Sequence, residues 1–410
     1  MTLPAALGGP PAFPDRLRFA RPLTPPLDDI VRRLRPSYEA GMLTNGPLLR
    51  ELEERLAARL GVAHVIGTSS CTTGLILTLQ AIGPRDQVVL PSFTFSATAH
   101  AIAWNGLTPV FAECNPSSLQ LDPADAESRL ASSGAGAIVA THVFGAPAPV
   151  QELTELANRR GVPLVFDAAH GLGTMYAGKP VGGFGVAEIF SMSPTKLVVA
   201  GEGGIVSTND ASLAESVRMG RDYGDPGDYD TLFPGLNARL SEFHAATALV
   251  SLDHLDEQVE VRRALADRYL KGLVDVPGLR TPTVGPDDIA NYKDFTVMFD
   301  DAFGLDRDTV AAALDADGIE TRRYFWPPVH RHQAYAHLSK TDLPVTDRAA
   351  GSVLSLPMFG DLSDDEVDGV VDALRSIHDN AEAIAAAARV GAGAGAGAGV
   401  SMASRSSAGD

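Results

Sequence analysis

Lys196 lies between two apolar runs. Glu188–Met192 precedes it and ends in Ser-Pro-Thr. An apolar tetrad, the turn Gly201-Glu202-Gly203-Gly204 and a second run, Ile205–Thr208, follow it. The pattern reads as strand, loop with lysine, glycine turn, strand. The chain has only five lysines, and this one is placed where reaching water is difficult. Burial and a nearby cation or dipole lower a lysine's pKa and make its amine nucleophilic. Such an amine forms a Schiff base with a carbonyl, that of pyridoxal phosphate included. A surface lysine at a strand end fits the same local residues, so the rest of the chain must decide.

A second pair of chemical groups, Asp167 and His170, follows the apolar run Pro163–Phe166. The carboxyl end of a buried strand is where α/β sheets bind ligands. An aspartate there can pair with a protonated pyridine nitrogen; it can equally cap the next segment, with His170 packed in the core. Thr68–Gly74 is a run of small and hydroxyl residues leading from a strand into a helix. The free amides of a helix's first turn suit a phosphate, although an ordinary N-cap cluster has the same composition. Phe93 and Phe95 follow another strand, where one could stack on a flat ring or both could pack inside. No third ligand stands at metal-binding spacing.

Composition bounds the reading. The 410 residues, 45% apolar and 20% charged, can fill a large core and two domains. A net charge of −18 argues against nucleic acid and anionic membrane as partners. Two cysteines, Cys71 and Cys114, make no disulfide framework and suit a reduced, cytoplasmic setting. The first residues show no secretory pattern, and no apolar run is long enough to span a bilayer.

Strand and helix patterns alternate from about residue 62 to 167, which predicts a mostly parallel sheet continued by the strand at 205–208. An acidic loop, 222–234, precedes one long helical stretch over 242–273 that bridges to a second domain. The expected organisation is an irregular arm (1–26), a large α/β domain (27–250), a small α+β domain with a strand at 292–299 (251–379), and a disordered Gly-Ala tail (380–410).

Six segments in register resemble the DegT/DnrJ/EryC1/StrS family of pyridoxal phosphate-dependent sugar aminotransferases, over residues 25–380. They are TNGPLLRELEERLAARLGVAHVIGTSS, LPSFTFSATAHAIAWNGLTPVFAE, VFDAAHGLG, FSMSPTKLVVAGEGGIVSTND, GLNARLSEFHAA and LSLPMFGDLSDDEV. The resemblance implies the aspartate aminotransferase-like fold type I. It implies Lys196 as Schiff-base lysine and proton shuttle, Asp167 opposite the pyridine nitrogen, and Phe95 stacked on the ring. Cys71, Thr72, Thr73 and Ser191 would hold the phosphate, and Asn237 would reach the phosphate of a neighbouring subunit in a homodimer with shared sites. His170 stands where many members carry glutamine and could titrate. Cys71 stands where many carry glycine. Retention of Lys196 favours transamination over the dehydration of relatives with histidine there. The implied substrates are an amino donor such as glutamate and a keto sugar, nucleotide-linked, whose diphosphate Arg239, Arg322 or Arg323 could meet. A keto-cyclitol or other free ketone, or a cofactor-binding regulator without turnover, are the alternatives.

Overall fold

Short β-branched runs and amphipathic helices alternate, and in the computed structural model, which describes residues 3–338 and 341–395, they build a seven-stranded sheet. Its strands are β1 (His64–Thr68), β2 (Gln87–Pro91), β3 (Thr108–Ala112), β4 (Ala137–Thr141), β5 (Leu164–Asp167), β6 (Ala187–Ser191) and β7 (Gly204–Thr208). They lie in the order β1-β7-β6-β5-β4-β2-β3. The five from β6 to β3 are mutually parallel. The strand expected to continue that run, β7, instead lies antiparallel to both neighbours. The reason is the connection: the segment leaving β6 holds Lys196 and no crossover helix, so the chain can only fold straight back.

A second, antiparallel sheet joins β8 (Leu279–Arg280), β9 (Phe295–Phe299) and β10 (Val353–Leu356). β9 starts three residues later than the expected 292, because Tyr292 has a positive φ of 47° and 291–294 form a loop. Tyr269, Phe295, Phe303 and Phe359 fill the core behind this sheet. The N-terminal arm is irregular but docked: Leu17 and Phe19 are buried, and the Phe13 and Leu17 amides donate to the carbonyls of Asp317 and Gly318.

Two further expectations need correcting. The stretch read as one helix is two, Glu242–Leu252 and Leu255–Leu273. The break falls at His254, which leaves helical geometry, while the carboxylate of Asp253 is held by Arg33 and Arg55. The tail expected to be disordered from 380 contains a helix, Ala381–Gly395. Alanine favours helix most strongly, and Ile384 anchors it in the small core. The end of the Gly-Ala repeat, from 396 on, lies outside the described residues.

One buried carboxylate fixes a helix that packs on β1. Helix Pro47–Leu60 has no side-chain cap of its own. Glu242, fully buried, supplies one from across the fold, accepting the amides of Gly46 (3.1 Å), Leu48 (3.0 Å) and Leu49 (3.0 Å) and the Ser37 hydroxyl (2.9 Å). A carboxylate at a helix N-terminus satisfies both donors and dipole. Glu242→Ala is therefore expected to cost about 3 kcal/mol or more, since each stranded buried donor costs roughly 1–3 kcal/mol. The urea midpoint should fall accordingly, and an unshifted midpoint would refute the role.

Candidate active site

The Lys196 loop is pinned by its own apolar tetrad. Leu197 to Ala200 are buried. The Lys196 amide donates to the Ser193 carbonyl (3.0 Å), the Ala200 amide to that of Met192 (2.8 Å), and the Val199 amide to Ser251 Oγ (2.9 Å). With its neighbours held inward, Lys196 faces a cavity of about 340 Å³ at the carboxyl ends of the parallel strands. Burial, then the charge of Lys293, lowers its amine from 10.5 to about 8, against the pull of Asp294 and Asp167. Only the free base attacks a carbonyl. The rate of reaction of Lys196 with a small aldehyde should therefore rise with pH through about 8 and level off above it. Peptide mapping separates this from ordinary lysines, which titrate near 10.4. A Lys196 profile that follows theirs would contradict the geometry.

Asp167 ends β5 and points into the same cavity, almost fully buried. Burial pushes its carboxyl above the usual range, and the Thr98 hydroxyl (2.7 Å) and Ala169 amide (3.1 Å) partly offset this. A carboxylate held so dry gains most from a cation placed against it. Beneath it, His142 stacks on Phe166 with ring centroids 4.9 Å apart. His142 Nδ1 accepts the Ala148 amide (2.8 Å), so Nε2 carries the proton and donates to buried Glu188 (3.2 Å).

The other expected residues divide. Ser70 caps helix Cys71–Ile82 in a reciprocal box with Thr73. That box occupies the Thr73 hydroxyl, so Thr73 is not in the cavity wall, whereas Ser70, Cys71 and Thr72 are. The amides of Cys71 and Thr72, in the first turn, are left for an anion. Gly204 makes the fit possible: a Cβ on it would lie 2.4 Å from the Cys71 nitrogen. The Cys71 thiol is buried and held well above its ordinary pKa. Ser191, Phe95 and His170 all line the cavity. Phe95 is 60% exposed at the start of helix Ser96–Trp104, an apolar face open to the cavity rather than packed in the core, while Phe93 is fully buried. His170 does not offer the titration expected of it. Burial and the cations Lys196 and Lys293 hold it well below its ordinary value, so the ring stays neutral at physiological pH.

Asn237 does not reach this cavity within the chain; it bridges to Asp222, and its Oδ1 accepts from Arg239 (3.3 Å). Neither do the three arginines. Arg239 pairs with Asp222 (3.0 Å), Arg322 with Glu320 (2.8 Å) and Arg323 with Asp308 (3.1 Å). Sequence reasoning missed Lys293, Tyr324 and Phe325, which the loop before β9 and the segment after Arg323 bring to the cavity. It also passed over Ser193 and Thr195, although both flank Lys196. Among the described residues no group of three metal-ligating side chains clusters, and no helix is long and apolar enough to cross a membrane.

A flat anionic aldehyde fits what is present. A helix N-terminus with free amides stands for its phosphate, an open aromatic face for its ring, a dry carboxylate for a protonated ring nitrogen, and an activated amine for its carbonyl. Comparison with known proteins agrees. A dTDP-3-amino-3,4,6-trideoxy-alpha-D-glucose transaminase of Streptomyces venezuelae is 36% identical over 342 residues, covering 82% of this chain and 89% of that protein. A UDP-N-acetyl-3-dehydro-alpha-D-glucosamine 3-aminotransferase of Acidithiobacillus ferrooxidans is 35% identical, covering 80% and 87%. The crystal structure of DesI in the presence of its TDP-sugar product superposes with a TM-score of 0.88 at 37% identity, covering 94% of this chain and 98% of that one. The sequence profile of the DegT/DnrJ/EryC1/StrS aminotransferase family matches residues 27–375, and the chain belongs to that family of pyridoxal phosphate-dependent aminotransferases.

Proposed function

We propose that the enzyme moves an amino group from an amino acid, glutamate in the first instance, to a nucleotide-linked keto sugar. The observation that carries this is the convergence of the Lys196 amine and the Asp167 carboxylate on one cavity. The names of the relatives, which specify dTDP- and UDP-linked sugars, support the substrate class. Pyridoxal phosphate, when bound, supplies the carbon that carries the amino group and a ring that draws electrons from it.

The chain's residues do the rest. Lys196 Nζ would hold the cofactor covalently and, when free, would take and return the proton at the reacting carbon. Asp167 would keep the ring nitrogen protonated. Phe95 would cover one face of the ring, His170 would orient its oxygen substituent, and the Cys71 and Thr72 amides with the Ser191 hydroxyl would hold the phosphate. Residues 27–250 act as the cofactor-binding domain and 251–379 as the smaller domain that closes the cavity. Two free, buried cysteines accord with a cytoplasmic setting. Turnover with glutamate and a panel of nucleotide-linked keto sugars and free keto-cyclitols tests this reading. Activity confined to free ketones would overturn the nucleotide assignment.

A homodimer with shared sites follows from the same reading. Leu27, Val31, Tyr38, Met42, Leu43 and Phe243 are exposed on neighbouring helices and turns, an apolar surface suited to a second copy. Asn237, unused at its own cavity, would serve the partner's phosphate. Mixing the inactive variants Lys196→Ala and Asn237→Asp should restore activity toward half of wild type in mixed dimers, because one site then carries both lesions and the other neither. No recovery after proven subunit exchange would return Asn237 to a structural role.

A further inference from the structure

The loop 291–294 carries a buried charge cluster that the chemistry at Lys196 leaves unexplained. Lys293 is 5% exposed, yet it lines the Lys196 cavity. Its Nζ donates to Asp294 Oδ1 (2.7 Å) and lies 5.9 Å from the Tyr324 ring centroid. Arg262, equally buried, donates to the carbonyls of Tyr292 (3.3 Å), Lys293 (3.0 Å) and Met358 (3.3 Å). Asp294 is the one carboxylate whose charge acts on Arg262. Two cations therefore share a single carboxylate. Arg262 Nε and Asp294 Oδ2 are both buried without a hydrogen-bond partner. Beside the cavity sits a dry cluster with one net positive charge, in a chain whose net charge is −18.

Uncompensated buried charge is costly unless something answers it. The cluster is also rigidly aimed. Asn291, fully buried, donates to the carbonyls of His170 (2.7 Å) and Leu172 (2.8 Å) and accepts the Lys293 amide (2.8 Å). This locks the Lys293 loop onto the loop that carries His170. Lys293 is close enough for its charge to act on both Lys196 and His170. Apart from Lys196 it is the only lysine or arginine in the cavity wall among the described residues. The wall's other acids are Asp167, assigned to the ring nitrogen, and Glu202, exposed on the glycine turn.

Building on the proposed aminotransfer, we infer that Lys293 binds the α-carboxylate of the amino donor, with Asp294 and Arg262 holding it in place. The donor's carboxylate is one bond from the carbon whose proton Lys196 removes, so its cation must lie beside Lys196, as Lys293 does. The diphosphate of a nucleotide sugar is separated from the reacting carbon by part of the sugar ring and needs a more distant cation. Lys293 is thus a specificity residue for the first half of the reaction and not for the second.

The test compares the two halves. The variant is Lys293→Met/Asp294→Asn, which removes the hydrogen-bonded pair together, with Lys293→Arg as the charge-keeping control. The donors are glutamate and its α-carboxamide, and bound-cofactor absorbance confirms an intact site. A hydrogen bond to a charged group predicts that the double variant raises the KM for glutamate about 10- to 100-fold. Its preference for carboxylate over carboxamide should collapse to within about threefold, and its KM for the keto sugar should stay within about twofold, since that half lacks the contact. Lys293→Arg should keep the carboxylate preference, and this control carries the test should the double variant fail to hold cofactor. A glutamate KM within about twofold of wild type, a keto-sugar KM that rises in its place, or loss of the preference in Lys293→Arg would overturn the assignment while leaving the proposed function standing. A wild type that accepts no α-amino acid would overturn both.

Discussion

Lys196→Ala is expected to lower turnover by at least about 10²- to 10⁴-fold, the range that a positioned proton-transfer group contributes. Among the described residues, no other amine in the cavity wall is free to take over. Lys293 shares the cavity but is tied to Asp294 at 2.7 Å, and the neutral ring of His170 is held well below its ordinary pKa. The loop should survive the change, because its anchors are the buried residues 197–200 and the amides of 196, 199 and 200, not the lysine side chain. An unchanged circular dichroism spectrum should therefore accompany the loss. Single-turnover measurement of the donor half-reaction is the direct check; a rate within tenfold of wild type, with folding intact, would remove Lys196 from the mechanism.

Asp167→Asn should reduce turnover by about 10²- to 10³-fold, the size of effect seen when a preorganised electrostatic partner is lost. A carboxamide has the same shape and can keep the Thr98 and Ala169 contacts, but it carries no charge to hold a ring nitrogen protonated. Stability should move the other way. Burial raises the folded-state pKa of Asp167, so its ionised form costs stability once the pH exceeds the unfolded carboxylate range. At neutral pH the cofactor-free variant should therefore melt at the same temperature as wild type or higher. Slow turnover combined with unchanged or raised stability marks a residue kept for chemistry. Normal turnover would reduce Asp167 to a cap.

Local pattern raised the candidate residues, and the family resemblance chose among their alternative roles. Asp167 ends an apolar run and Lys196 stands in the loop that follows another, and a strand's carboxyl end is where a sheet presents its ligands. Thr73 misled because composition cannot show that its hydroxyl closes a capping box with Ser70. A histidine where the family carries glutamine likewise suggested titration, while its lowered pKa depends on burial and on Lys196 and Lys293 converging in space. Lys293 was invisible for a related reason. It lies far along the chain in an unremarkable loop, which long-range contacts such as the Asn291 bonds to residues 170 and 172 bring to the cavity. The reversed β7 was misread because strand direction depends on the connection, not on the strand's own residues. The helix at Ala381–Gly395 was missed because the Gly-Ala repeat overshadowed the alanine-rich residues before it.

Lys196 is proposed to hold the cofactor, and Lys293 is the other lysine that lines its cavity. Borohydride reduction of the purified holoenzyme followed by peptide mapping separates them. One phosphopyridoxyl adduct per chain is expected, on Lys196, with loss of the visible absorbance band. An adduct on Lys293, or on Lys179, Lys271 or Lys340, with Lys196 unmodified would contradict it.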